Sequence, residues 1–113
     1  MVIKKVADVP KNEVTDEGTK SVTRQILIGK DDNSNNIIMR LFTLAPGGHS
    51  PLHTHNYEHL VKVEKGRGIA VSDRGEQEIG AGDIIYVKPN EIHQFKNNSN
   101  VEFQFICVIP NKV

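Results

Sequence analysis

Residues 47–66, with the sequence GGHSPLHTHNYEHLVKVEKG, concentrate imidazole side chains in one short segment. His53 and His55 are two residues apart, and side chains at positions i and i+2 of a β-strand point to the same face. His59 keeps this parity if the strand continues. Three imidazoles on one interior face cost desolvation free energy unless their nitrogens are satisfied, and a metal ion satisfies them. The segment therefore predicts a metal site.

The rest of the chain has the pattern of an all-β protein. Short apolar or alternating segments are separated by clusters of Gly, Pro, Asn and Asp, and no segment keeps a 3.6-residue period over helical length. The run Ala45–Gly48 is expected to break the strand that begins at Ile37. Such spacing predicts a sandwich or barrel. The predicted strands are Gln25–Gly29, Ile37–Leu44, His59–Glu64, Ile69–Ser72, Glu76–Ile79, Asp83–Val87 and Val101–Ile109.

Two stretches resemble the two sequence motifs of the cupin family. Residues 47–66 are similar to the first motif, which has a Gly, an HxH pair, a further ligand and a second Gly. Residues 82–97, GDIIYVKPNEIHQFKN, are similar to the second motif. The resemblance implies an all-β double-stranded β-helix (a jelly-roll barrel), and a single cupin domain over residues 1–113. It also implies that one metal ion is held by His53, His55, His59 and His93.

The sequence departs from the family pattern at several positions. His59 stands where the family usually has a metal-binding Glu, as in the small cupins with four histidine ligands. Glu58 is an alternative ligand, but its parity places it on the opposite face from His55. In the second motif Lys88 takes the place of the usual Pro, and Asn90 takes the place of a Gly. Asn tolerates the left-handed conformation that a tight turn requires, so the ligand His93 is expected to keep its position.

The expected cofactor is one divalent transition metal per chain. Four neutral imidazoles leave the whole charge of the ion uncompensated, which favours anionic ligands at its open positions. Open positions suit catalysis or ligand binding more than the closed tetrahedral sites that stabilise structure. Imidazole is a suitable ligand for Fe, Ni, Cu and Zn. The resemblance to four-histidine cupins implies Mn or Fe, with Ni, Zn or Cu as other occupants.

Six further residues are candidates for a substrate pocket around the ion, although each has a structural alternative. Parity places Phe95 beside His93 and places Val61 beside His59, and either position is equally compatible with ordinary barrel core. Arg40 is a candidate for binding a substrate carboxylate, or alternatively forms an outward surface ion pair. Cys107 is more consistent with a small buried hydrophobe than with a nucleophile. The full set of candidate pocket residues is Phe95, Phe105, Cys107, Val61, Arg40 and His49, of which His49 is alternatively a loop residue at the pocket mouth.

The composition of the chain argues against nucleic acid and membranes as binding partners. The 14 Lys and Arg balance the 14 Asp and Glu, which argues against nucleic-acid binding. No apolar run approaches the roughly 20 residues that span a bilayer, and the first residues lack a signal-peptide h-region. Cys107 is the single cysteine and cannot form an intramolecular disulfide. We therefore predict a cytoplasmic protein with a small-molecule substrate. Small cupins usually pair, so we also predict a homodimer in which Val2–Val6 adds a strand to a neighbour's sheet.

Three functions are compatible with this site. The first is a metal-dependent enzyme of oxygenase type acting on a small organic substrate, anionic or enolisable, as the resemblance to dioxygenase-type and oxalate-converting cupins implies. The second is a metal-dependent sugar or keto-acid isomerase, which requires an acid–base residue that parity does not supply. The third is a non-catalytic small-molecule-binding or sensor cupin.

Metal binding is expected to compete with protons. Each ligand imidazole must be neutral, and an unperturbed His titrates near pH ~6.5. Metal occupancy is therefore predicted to fall steeply below that pH. If the histidines of the metal-free site protonate freely, more than about three protons should be released per ion near pH ~5.5.

Overall fold

The computed structural model describes residues 1–111, so the last two residues of the predicted domain, 112–113, lie outside the described part. Within it, short 3-10 helices at Val6–Asp8 and Lys30–Asp32 are the only helical segments, and no helix is long and apolar enough to cross a membrane. The strands are β1 (Asn12–Glu13), β2 (Lys20–Ile28), β3 (Ile37–His49), β4 (His59–Lys65), β5 (Arg67–Ser72), β6 (Gly75–Gly80), β7 (Ile84–Val87), β8 (Gln94–Lys96) and β9 (Phe103–Pro110).

The strands form one curled antiparallel sheet in the order β6-β5-β8-β3-β9-β4-β7, and β2 and β1 extend it beside β3. Neighbours in this order are mostly distant in sequence, since β3 pairs with both β8 and β9. This is the arrangement of a double-stranded β-helix, so the predicted fold class is confirmed. The curl brings the loop before β4 close to the loop before β8.

Strand alternation places the core inside the curl. In β9 the residues Phe103, Phe105, Cys107 and Ile109 are buried and the residues between them are half-buried, as the alternating sequence predicts. Leu44 on β3 and Val63 on β4 are fully buried against the same cluster. The core therefore fills one part of the barrel and leaves the part near the histidines open.

The prediction that Ala45–Gly48 breaks the strand is wrong. β3 continues to His49. Val22 of β2 pairs with Leu44, but Lys20, two residues earlier, pairs with His49, so β3 has extra residues that form a bulge. Gly48 lies close to the β2 backbone, since a Cβ there would meet the Ser21 carbonyl oxygen at 2.7 Å. The glycines therefore bend the strand without ending it.

Asn97 fixes the segment between β8 and β9 to β3. It is 2% exposed, and its Nδ2 donates to the carbonyl oxygens of Leu44 at 2.9 Å and Val101 at 2.8 Å. We expect Asn97→Ala to lower the free energy of unfolding by about 2–3 kcal/mol, because it leaves a buried carbonyl without a donor. Urea denaturation measures this, and the exposed Asn98 gives the control, whose Ala variant should change stability by less than about 0.5 kcal/mol. Equal losses in the two variants would contradict the assignment.

The segment Val2–Val6 contains no strand within this chain. Lys4 attaches this segment to the end of β2 in the same chain, because its Nζ donates to the Leu27 carbonyl at 3.0 Å and pairs with Asp32 at 2.6 Å.

The homodimer stays a prediction. The outer face of the sheet does expose adjacent apolar side chains that a second copy would cover, namely Met39, Leu60, Ile84 and Tyr86. Light scattering at micromolar concentration tests it, and a monomer contradicts it.

Candidate metal centre

A loop and an isolated bridge bring the four predicted ligands together. His53 and His55 lie in the loop between β3 and β4, so the strand continuity assumed from sequence is absent. Instead, His53 pairs with His93 through two backbone hydrogen bonds, of 3.2 Å and 3.0 Å. His59 is the first residue of β4, and His93 immediately precedes β8. The fold, rather than local parity, therefore creates the cluster.

The four rings pack against one another. The ring centroid of His53 lies 4.2 Å from that of His55 and 4.8 Å from that of His93. The His59 ring lies 5.1 Å from the rings of both His55 and His93. One ring nitrogen from each of His53, His55 and His93 lies within 4.8 Å of the other two. Two nitrogens bound to one ion at about 2.0–2.1 Å are at most about 4.2 Å apart, so small movements of these rings would let the three residues hold a metal.

Hydrogen bonds orient two of the rings. The Nδ1 of His93 donates to the Glu91 carbonyl oxygen at 2.8 Å, which leaves Nε2 with its lone pair. The Nδ1 of His59 lies 3.1 Å from Cys107 Sγ, and its Nε2 is buried without a hydrogen-bond partner. A buried nitrogen without a partner is costly. A metal at Nε2 would remove this cost and would select the tautomer in which Nδ1 donates to sulfur. His59 thus fits the role of a fourth ligand.

The environment lowers the pKa values of three of the imidazoles. Burial, followed by the charges of His55 and His93, lowers the pKa of His53 to about 4. Burial, followed by the charges of His93 and Arg40, lowers the pKa of His59 to about 3. Burial also lowers the pKa of His55. Because His53 and His59 are already neutral near pH ~5.5 in the metal-free site, metal binding there releases fewer protons than the sequence-based expectation of more than three.

The lowered pKa values predict acid sensitivity of the metal-free protein. Above pH ~6.5, His53 and His59 are neutral in both the folded and the unfolded state and contribute nothing to the pH dependence. Between pH ~6.5 and about 4 the unfolded state binds protons that the folded state does not, so the free energy of unfolding should fall as pH falls. Urea denaturation of the chelator-treated protein at pH 7.5, 6.0 and 5.0 measures this. The slope should be smaller in His59→Leu, and a slope as steep as in the wild type would contradict the account.

A cavity of about 290 Å³ opens beside the rings. Of the candidate pocket residues, Phe95, Phe105, Cys107 and Arg40 line it. Val61 and His49 do not: Val61 is buried in the core, and His49 ends β3 with its Nδ1 near its own neighbour's carbonyl. The walls also include apolar and aromatic residues that sequence reasoning did not select, among them Val22, Phe42, Leu44 and Tyr57.

Arg40 faces the interior, so the alternative of an outward surface ion pair is wrong. Its Nη2 donates to Cys107 Sγ at 3.1 Å, its Nε is buried without a partner, and its Cζ lies 4.9 Å from the centroid of the Phe42 ring. The β3–β9 register places Arg40 opposite Cys107, which explains this contact. Parity on β3 would have found Phe42, since it shares a face with Arg40.

Glu58 lies outside the cavity lining. Its side chain is exposed, and its carboxylate accepts a hydrogen bond of 2.8 Å from the Tyr86 hydroxyl. Tyr57, in contrast, stacks on His55 with ring centroids 4.8 Å apart, and its parity with His55 and His59 was a signal that sequence reasoning did not use. Burial raises the pKa of the Tyr57 phenol. The cavity therefore contains a protonated phenol next to the histidines and no Glu within the described residues.

Comparison with known proteins shows the family to which this chain belongs. Residues 40–109 match the family model described as Cupin domain, so the chain belongs to the cupin family. It is 32% identical over 90 residues to 1-methylthio-D-xylulose 5-phosphate methylsulfurylase of Rhodospirillum rubrum, covering 80% of this chain and 56% of the relative. It is 26% identical over 119 residues to Auxin-binding protein 1 of Arabidopsis thaliana, covering 96% of this chain and 58% of the relative.

A solved structure is similar over nearly the whole chain. The polyketide cyclase RemF from Streptomyces resistomycificus superposes with a TM-score of 0.93 at 29% identity, covering 97% of this chain and 79% of that chain. The chain spans a little more than half the length of the two curated relatives. These proteins have different named activities on one fold, so the activity of this chain must be argued from its own cavity.

Proposed function

We propose that this protein is a metal-dependent enzyme of oxygenase type, in which His53, His55, His59 and His93 hold one divalent transition metal next to a small-molecule cavity. The observation that carries the proposal is the packing of four imidazoles with lowered pKa values or fixed tautomers at one end of an open, mainly apolar cavity. A bound Mn or Fe ion would supply Lewis-acid and redox chemistry there. Ni, Zn or Cu would fit the same nitrogen ligands.

The wall composition favours the oxygenase. Three phenylalanine rings form an apolar wall. The Phe42 ring stacks on that of Phe105 at 5.4 Å between centroids, and the Phe95 ring is tilted against it at 4.8 Å. Such a wall admits apolar molecules and excludes water from the reacting end of a substrate. Among the described wall residues, the one carboxylate, Asp16, is exposed, and there is no Lys. This part of the wall therefore offers no buried carboxylate and no amine close to the rings that could carry protons, which disfavours reactions that depend on such a group for repeated proton transfer.

The isomerase is the second candidate, and Tyr57 is the observation that favours it. Its protonated phenol stacks between His55 and His59, at 4.8 Å and 5.3 Å between ring centroids. A phenol in this position can donate a proton or a hydrogen bond to a substrate oxygen. It thus supplies the acid–base group that the sequence pattern did not reveal.

Turnover measured with and without oxygen distinguishes the oxygenase from the isomerase. Protein loaded with Fe(II) or Mn(II) is incubated with a panel of small organic acids and sugar derivatives in air and under argon, and oxygen uptake and products are measured. Consumption of oxygen in step with substrate supports the oxygenase, whereas equal turnover under argon overturns it. Tyr57→Phe separates them further, because it should abolish isomerisation while leaving most oxygenase activity. If loaded protein binds panel compounds and turns over none of them, a non-catalytic binding cupin is the better interpretation.

A further inference from the structure

Two arginines point into the cavity from neighbouring strands. Arg24 on β2 lies opposite Phe42 on β3, and Arg40 lies two positions before Phe42 on the same face of β3. Such diagonal neighbours in an antiparallel pair are about 7–8 Å apart, within reach of one ligand group for long side chains. Both arginines line the cavity that holds the histidines. The sheet register therefore brings two guanidinium groups together on the cavity wall.

Among the described residues, neither arginine has a carboxylate partner. The three ion pairs within the described residues join Lys4 to Asp32, Lys62 to Glu64 and Lys96 to Glu76. Asp16 lines the same cavity but pairs with neither arginine. The half-buried Arg40 also keeps an unpartnered, buried Nε. Guanidinium groups away from bulk water are normally paired with an anion, because an unpaired charge there is costly.

We propose that Arg24 and Arg40 bind the anionic group of a small, mainly apolar organic acid whose other end reaches the histidines. This deepens the proposed function by naming the substrate class, and it rests on that function only in placing the reacting end at the metal. The guanidinium fork matches the planar geometry of a carboxylate. The aromatic wall then contacts the apolar body of the ligand. The cavity of about 290 Å³ is roughly twice the ~150 Å³ that holds one benzene, so it limits that body to about two aromatic rings.

The site differs from direct binding of the anion to the metal. An acid held by its carboxylate on the metal would need no arginine, whereas an acid held by the arginine pair presents its opposite end to the ion. Binding to the arginines should therefore occur without any metal present.

Benzoate and benzamide provide a matched pair of probes, since they share a shape and differ in charge. We expect metal-free protein to bind benzoate at least about tenfold more tightly than benzamide, as measured by isothermal titration or by NMR shifts. Arg40→Gln and Arg24→Gln should each weaken benzoate binding by about tenfold or more, and Arg40→Lys should weaken it less than Arg40→Gln because it keeps the charge. Arg67→Gln, at an exposed position on β5, is the control and should leave it unchanged. If Arg40→Gln does not fold, Arg24→Gln and Arg40→Lys carry the test.

The outcomes separate this proposal from the proposed function. Equal affinities for benzoate and benzamide, unchanged binding in the Arg24 and Arg40 variants, or no benzoate binding at about 10 mM would overturn the arginine site. Benzoate binding that requires Mn(II) and ignores both arginines would also overturn it, while leaving the metal centre intact. Arginine-dependent binding in a protein whose histidines retain no metal would support the arginine site and overturn the metal-dependent enzyme.

Discussion

His93→Ala should lower the affinity of the protein for its metal by at least about 100-fold. His93 contributes a ring nitrogen to the tight three-histidine group, and its Nδ1 hydrogen bond to Glu91 fixes the tautomer that exposes Nε2. Its backbone also holds the loop that carries His53. Removing the ring deletes one ligand while leaving that backbone bridge available.

Competition with a fluorescent chelator measures this loss, and circular dichroism verifies the fold of the variant. His49→Ala is the matched control, because His49 lies outside the cavity lining, and it should retain wild-type affinity. A folded His93→Ala protein that binds Mn(II) as tightly as the wild type would show that the ion is not held at these rings.

Gly66→Ala should lower the free energy of unfolding by about 3–5 kcal/mol. Gly66 has φ +76, a conformation that strains any residue with a Cβ, and a Cβ there would collide with the Glu102 carbonyl oxygen. Both effects act where β4 turns into β5 against the start of β9. The backbone cannot move away from this contact without shifting a core strand.

Gly82→Ala is the control that isolates the backbone strain. Gly82 has φ +93, but nothing lies within 4 Å of the position that an added Cβ would take, so its substitution should cost only about 1–2 kcal/mol. Thermal and urea denaturation of both variants give the difference. Similar losses in the two would mean that close packing at Gly66 contributes little.

Much of the fold was predictable because strand alternation is a local property. The alternating apolar residues of β9 indicated both the strand and its buried face, and the spacing of the two motifs predicted the barrel. The end of β3 was mispredicted because a glycine-containing bulge and a turn have the same composition. What decides between them is pairing with β2, which is distant in sequence.

The candidate site was only partly predictable for the same reason. The sequence singled out four histidines that the fold brings together, but the backbone bridge between His53 and His93 depends on pairing of distant segments. Parity assigned Val61 to the pocket, although of the two residues His59 lines the cavity and Val61 lies in the core. The orientation of Arg40 depends on the β3–β9 register, and no local pattern in the sequence contains that information.

If four histidines and no carboxylate hold the metal ion, metal retention depends on His59 and not on Glu58. The most direct measurement is the metal content, by elemental analysis, of wild-type, His59→Ala and Glu58→Ala proteins purified without a chelating resin. We expect about one ion per chain in the wild type and in Glu58→Ala, since Glu58 is exposed and accepts a hydrogen bond from Tyr86. We expect a large loss in His59→Ala. A Glu58→Ala protein without metal beside a His59→Ala protein with one ion per chain would contradict the four-histidine site.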